Sequence, residues 1–273
     1  MTNDPGTVPL ANILHQRRWQ VCQEPFPHIV AHDVFTPDFY SCLDSAYGDL
    51  LARGLSESHD AARFSRNISN YDVYSMSLRP ETPAPFNVFT SREWHDMVAN
   101  VFGIRTTGDV NGGFHHHLPG SVTGQVHNDL NPGWFVDAAD PDRVNVSKNE
   151  LLCSYSTGRI TNSDLRVHET IRAIAVLYYL HNPGWHPGDG GETGIYSYHG
   201  QPVLGPTKAI PPINNSLLLF ECRPNSFHSF LSNRNGHRNS MIMWLHRPVE
   251  DVVRRWGQKS ITYWVDGPKN QLT

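Results

Sequence analysis

A chain of 273 residues, 38% hydrophobic and 18% charged, can bury a substantial core in one domain, or in a domain with an appended helical part. Its formal charge of -4, with no basic cluster beyond the doublets Arg17-Arg18 and Arg254-Arg255, argues against nucleic acid as the main partner. The longest apolar run, Ala173 to Leu180, is far too short to span a bilayer, so no membrane role is expected.

Met1 to Leu10 is polar, carries Pro5 and Gly6, and lacks the basic start and apolar run of a secretory signal. Cys22, Cys42, Cys153 and Cys222 are scattered without metal-like spacing and read as free thiols in a reducing cytosol, which implies a cytoplasmic location. Residues 1–20 read as a loose arm with a short helix around Leu10–Trp19, and Pro25–Val30 as a strand entering the fold. Thr36-Pro37 is a helix start, with Phe39, Leu43, Tyr47 and Leu50 on one face and Gly54 ending it. Residues 55–88 are polar loop with a short strand near Tyr71–Met76. A second helix should open at Thr90 and Glu93, spaced as a capping box, with Phe89 and Trp94 as a hydrophobic staple, and stop at Gly103. Both helices are expected to buttress a sheet.

From Asp109 the pattern changes to short strands near 109–117, 122–129, 171–180, 193–199, 206–210, 216–221, 226–231 and 238–246. Together with 20 Pro, 21 Gly and abundant aromatics, these favour a mainly β protein, a jelly roll able to hold a site between two sheets. The expected organisation is a single catalytic domain: a helical support region over 1–106, a jelly-roll core over 107–248, and a C-terminal segment over 249–273. The core carries an insertion, 130–170, rich in Asp, Asn, Ser and Pro with apolar spots at Trp134-Phe135 and Leu151-Leu152. An insertion of that length beside a site reads as a lid or substrate loop, against the alternative of a passive surface excursion.

On a strand, residues i and i+2 share a face, so His127 and Asp129 could converge on one ion. His228, after the apolar run Leu217–Phe220, offers a third ligand. Two histidines and a carboxylate with open positions are the ligand set of non-haem Fe(II) oxygenases. A lone His-x-Asp is weak in a chain with 16 histidines; the strength lies in agreement with other features. Arg238 follows ten residues after His228, and between them and the first pair runs Leu177-Tyr178-Tyr179-Leu180-His181-Asn182, then Trp185 and Gly190-Gly191-Glu192.

In this order and spacing the chain resembles the Fe(II)/2-oxoglutarate-dependent dioxygenases, in particular their prolyl 4-hydroxylase-like branch, over roughly residues 107–246. The resemblance implies a double-stranded β-helix with supporting N-terminal helices, and Fe(II) held by His127, Asp129 and His228, with 2-oxoglutarate and O2 as cosubstrates. It makes Arg238 the partner of the far carboxylate of 2-oxoglutarate, since a planar, always-charged guanidinium binds a carboxylate in two places. Ser240 adds a hydroxyl, and Tyr179 is the hydrogen-bond partner of the cosubstrate, with Tyr178 facing the other way. The family often has a second Tyr ten residues before the metal His; here that position is His117, which could donate to the cosubstrate or leave the contact to another residue. Arg172 matches a position that faces substrate in relatives and would suit a carboxylate there, or would be a strand-end surface charge. Trp244 and Phe230 wall the pocket or are plain core.

The implied reaction is hydroxylation of an unactivated C–H of a small molecule, an amino acid or secondary metabolite, with release of succinate and CO2. A prolyl or other side chain of a protein is the alternative substrate. Outside the class stands a non-catalytic metal- or sugar-binding jelly roll, which would have no need of Arg238. Asp129 argues against halogenation, because halogenating relatives lack this carboxylate; desaturation, ring closure and epimerisation use the same ligands. Oligomeric state is not readable.

Overall fold

The computed structural model describes residues 8–66, 68, 71–136, 143–146, 166–198 and 205–263. The N-terminal helix is a single turn, Leu10–Ile13, shorter than expected. It stops there because Leu14 bridges Phe35 and the His15 N–H donates to Val34 O. Strand β1 (His28–Ala31) follows, then helix α1 (Pro37–Leu51), which buries Leu43, Tyr47 and Leu50; Thr36 precedes it without a side-chain capping bond. Strand β2 (Tyr74–Ser77) leads to helix α2 (Arg92–Phe102), closed by Gly103 at φ 61°.

The capping box expected of Thr90 and Glu93 does not form. Ser91 is the cap and accepts the Trp94 N–H at 3.2 Å, Thr90 donates its hydroxyl to Asn87 O, and Glu93 accepts the Leu10 N–H at 2.7 Å. Phe89 still packs edge-on to Trp94, with ring centroids 5.5 Å apart. Ser91→Ala should therefore lower stability by about 1 kcal/mol in urea unfolding, with Thr90→Ala clearly less costly; the reverse order would restore the expected cap.

The core strands are β3 (Asp109–His117), β4 (Pro132–Val136), β5 (Val167–Tyr179), β6 (Thr193–Tyr196), β7 (Lys208–Ile210), β8 (Ser216–Glu221), β9 (Phe227–Phe230) and β10 (Arg238–Pro248), followed by helix α3 (Val249–Trp256). The larger sheet runs in the order β1-β8-β5-β10-β3-β2, extended at its two ends by the two-residue strands Val21–Cys22, Phe64–Ser65 and Leu55–Ser56. The smaller sheet is β7-β6-β9. The architecture is mainly β with a jelly-roll core; the two sheets do not close into a barrel.

Alternation along the central strands sorts their residues between two compartments. Val176 and Tyr178 of β5, Leu217 and Leu219 of β8, and Met241 and Met243 of β10 join Leu43, Tyr47, Trp94 and Val98 of the helices. Ala175, Leu177 and Tyr179, with Leu218, Phe220 and Ile242, pack with Ile195 and Ile210 of the small sheet. Both helices do buttress the sheet, as their apolar faces require.

Two further expectations change. Residues 122–129 form no strand: they follow Pro119-Gly120 and are tied to β9 by one bond, Gly124 N–H to Phe230 O, and by the isolated His127–His228 bridge. The insertion is narrower than 130–170, because Trp134 and Phe135 lie in β4, paired with β5, and β5 already begins at Val167. Residues 137–142 and 147–165, including Leu151-Leu152 and Cys153, lie outside the described residues, as do Met1–Thr7 and 264–273. Cys22, Cys42 and Cys222 are unpaired, and among the described residues no helix is long and apolar enough to cross a membrane.

Candidate metal and cosubstrate site

His228 stands on β9 opposite Ile195 of β6, and His127 is held across from it by a pair of backbone bonds. The His127 N–H donates to His228 O at 3.1 Å and the His228 N–H to His127 O at 2.9 Å. Each ring then spends its Nδ1 on a nearby carbonyl, His127 on Gln125 O at 2.8 Å and His228 on Ser226 O at 3.0 Å. A carbonyl accepts only, so Nδ1 is the donor, and in the neutral ring that a metal would bind Nε2 keeps a lone pair.

Those lone pairs point at Asp129. Nε2 of His228 is 3.2 Å from Oδ2, and Nε2 of His127 is 3.7 Å from Oδ1. The carboxylate reaches this position through a turn rather than a strand: Asn128 Oδ1 accepts the Leu130 N–H and the Asn131 N–H donates to Asp129 O. One ligand atom from each of the three residues lies within 4.8 Å of the others. Two imidazole lone pairs facing a buried carboxylate at these distances call for a cation between them, so the donor set fits a divalent metal.

Two further side chains grip the carboxylate. Arg172 donates to Oδ1 at 2.9 Å and the Trp244 indole N–H to Oδ2 at 2.8 Å, while the Arg172 guanidinium lies 3.6 Å over the Trp244 ring. Burial alone would push the Asp129 pKa up, but His228 and Arg172 hold it well below the usual carboxylate range.

Arg238 opens β10 opposite His117 of β3, and Ser240 lies between His115 of β3 and Tyr179 of β5. The register thus lines up one row across three strands. Arg238 is 2% exposed, and its guanidinium donates to Ser240 Oγ at 2.8 Å and Thr193 Oγ1 at 3.2 Å. Thr193 Oγ1 also contacts the Tyr179 hydroxyl at 2.7 Å. Among the described residues no carboxylate pairs with Arg238, and its Nε has no hydrogen-bond partner. His117 stacks on Phe230 with centroids 3.9 Å apart; its Nδ1 contacts Asp72 O and its Nε2 is buried without a partner. His115 Nδ1 is likewise unpartnered. Burial and the neighbouring Arg238 push the His115 pKa down to about 3 and that of His117 well below its usual value, so both rings are neutral. A buried cation bonded only to hydroxyls, beside unspent ring nitrogens, is a cradle for an anion.

The residues expected at the site are thus brought together in two groups: His127, Asp129 and His228 with Arg172 and Trp244, and Arg238 with Ser240, Tyr179 and His117. Tyr178 faces the helices, its hydroxyl donating to Asn215. His116 also points away and contacts Asn239 Oδ1, so the three consecutive histidines do not converge. Three neighbours were not foreseen. Thr193 and His115 were readable in principle from alternation and pairing. Tyr71, whose ring lies 5.4 Å from His117, was expected to open a short strand but stands ahead of it, since β2 begins at Tyr74. Burial pushes the Tyr71 pKa up to about 12, with the Arg238 charge opposing and the Asp129 charge adding to the rise.

By sequence, residues 152–246 match the 2OG-Fe(II) oxygenase superfamily. Over that third of the chain the sequence is that of a 2-oxoglutarate-dependent Fe(II) oxygenase. The oxygenase match includes Tyr179, His228, Arg238 and Ser240 but stops short of His127 and Asp129, which the geometry brings to His228. No curated protein matches the oxygenase in sequence. Among solved structures, a prolyl-4-hydroxylase from Pseudomonas putida is similar in fold, with a TM-score of 0.51 and 14% identity over 81% of this chain and 92% of that one. A prolyl hydroxylase from Trichoplax adhaerens gives a TM-score of 0.49 and 14% identity over 85% and 87%. Oxygenases of this family use Fe(II), 2-oxoglutarate and O2, and the donor set described above suits that requirement.

Proposed function

We propose that this oxygenase hydroxylates an unactivated C–H of a small molecule, an amino acid or secondary metabolite, and that residues 107–248 form its catalytic core. The observation that carries the cosubstrate assignment is Arg238, a buried guanidinium whose hydrogen bonds go to hydroxyls and which pairs with no carboxylate among the described residues. A jelly roll that merely bound metal or sugar would have no use for such a charge. In this reading His127 and His228 hold Fe(II) through Nε2 and Asp129 through its carboxylate. Arg238, with Ser240 and Thr193, receives the far carboxylate of 2-oxoglutarate, and the Tyr179 hydroxyl and His117 Nε2 lie along its flank. When bound, iron with 2-oxoglutarate and O2 supplies the oxidising power that turns C–H into C–OH, with release of succinate and CO2.

The chain's own contribution is orientation and dryness. Asp129 and His228 are buried and neutral His115 and His117 bring no competing charge to the cradle. Of the three ligands the His127 side chain, 36% exposed, is the one most open to solvent. The test is a screen of free amino acids, small metabolites and proline-containing peptides for a 2-oxoglutarate-dependent gain of one oxygen, with succinate measured in parallel. Oxygen gain in a small molecule is the expected result. Gain confined to polypeptides would overturn the small-molecule reading and make a protein side chain the substrate.

A further inference from the structure

Asp129 belongs to no strand, so no ladder of backbone bonds orients it. The two donors on its oxygens do belong to strands. Arg172 lies on β5 and Trp244 on β10, adjacent and central in the larger sheet. The Arg172 backbone N–H also donates to Asn131 O at 3.0 Å, which ties the turn carrying Asp129 to β5. With one donor on each oxygen, the carboxylate cannot rotate about its Cβ–Cγ bond without breaking a buried hydrogen bond. Stacking of the guanidinium on the indole ring couples the two donors, so displacing either one loosens both.

We propose that Arg172 and Trp244 are positioning residues that lock the Asp129 carboxylate in the plane that faces the two histidines. The inference rests on the ligand assignment above and reassigns Arg172, since its charge is already met by a buried carboxylate at 2.9 Å. A substrate carboxylate would have to compete with that partner, so the expectation of an acidic substrate loses its support. Charge also distinguishes this role from simple attraction of metal. A nearby cation taken alone would weaken metal binding, whereas a donor that fixes a ligand strengthens it.

The test separates these effects by leaving the charge unchanged. Trp244→Phe removes a neutral donor, and Arg172→Lys keeps the charge but loses the planar fork and its stacking. Cobalt(II) is titrated anaerobically into the metal-free proteins and followed by its visible d–d bands, beside Asp129→Ala. Each positioning variant should raise the cobalt dissociation constant by about 10- to 100-fold and change the band pattern, and Asp129→Ala should abolish binding. Wild-type affinity and bands in both positioning variants, with binding still lost in Asp129→Ala, would overturn the positioning role alone. Unchanged binding in all three would overturn the ligand assignment itself. Should the variants not fold, the wild-type protein loaded with zinc(II) decides: the Trp244 indole N–H should exchange slowly with solvent, and rapid exchange would overturn the proposal.

Discussion

Replacing Arg238 by alanine should weaken 2-oxoglutarate binding by roughly 30-fold to several thousand-fold while metal affinity changes little. The range follows from about 2–5 kcal/mol for truncating one partner of a buried, hydrogen-bonded charge pair, at about 1.4 kcal/mol per tenfold. Much of that loss is the cost of leaving the far carboxylate in a site that retains only the hydroxyls of Ser240 and Thr193. Arg238→Lys should recover part of the binding, because it restores charge without the planar fork. The measurement is titration of 2-oxoglutarate into the anaerobic Fe(II) protein, followed through its visible charge-transfer band. An unchanged dissociation constant in Arg238→Ala would mean that the cosubstrate is anchored elsewhere.

The second large effect concerns the metal ligands. His127→Ala, Asp129→Ala and His228→Ala should each abolish Fe(II)-dependent succinate formation in a protein that remains folded. Folding should survive because the His127–His228 bridge is made by backbone atoms, which alanine keeps. Asp129→Gly is the sharper variant, since both histidines remain and only the carboxylate is lost. It leaves Arg172 and Trp244 without their shared acceptor, so its activity should be lost even with excess iron. Undiminished succinate production in any one of these variants would remove that residue from the ligand set.

The strands that carry the site were legible where alternation was strong and turns were marked. The segments 109–117 and 216–221 were expected at the limits that β3 and β8 show. The convergence of His127 and Asp129 was expected for the wrong local reason. Strand alternation was invoked, whereas a turn stabilised by Asn128 brings the carboxylate inward. A pattern of period two cannot distinguish those routes over three residues. The contacts of Arg172 and Trp244 with Asp129 were illegible because they join residues 43 and 115 positions apart. Alternation says which face each occupies but not what loop folds onto that face. The cap of α2 was misplaced by one residue because Thr90 and Ser91 are both competent, and only Ser91 has its hydroxyl within reach of the Trp94 N–H. Tyr71 was read as the start of a strand that in fact begins at Tyr74, and its place beside His117 depends on how the irregular segment before β2 folds back.

Tyr178 and Tyr179 stand back to back on β5, one among Phe35 and Phe89, the other against Thr193. This makes β5 a party wall: no adjustment on one side leaves the other untouched. Drift in the helix layer that tilts Tyr178 is transmitted through one peptide unit to the Tyr179 hydroxyl, and a slip of one residue would exchange the two rows outright. On the role proposed for Tyr179, substitutions in the helix layer that shift Tyr178 should therefore alter cosubstrate affinity as well as stability.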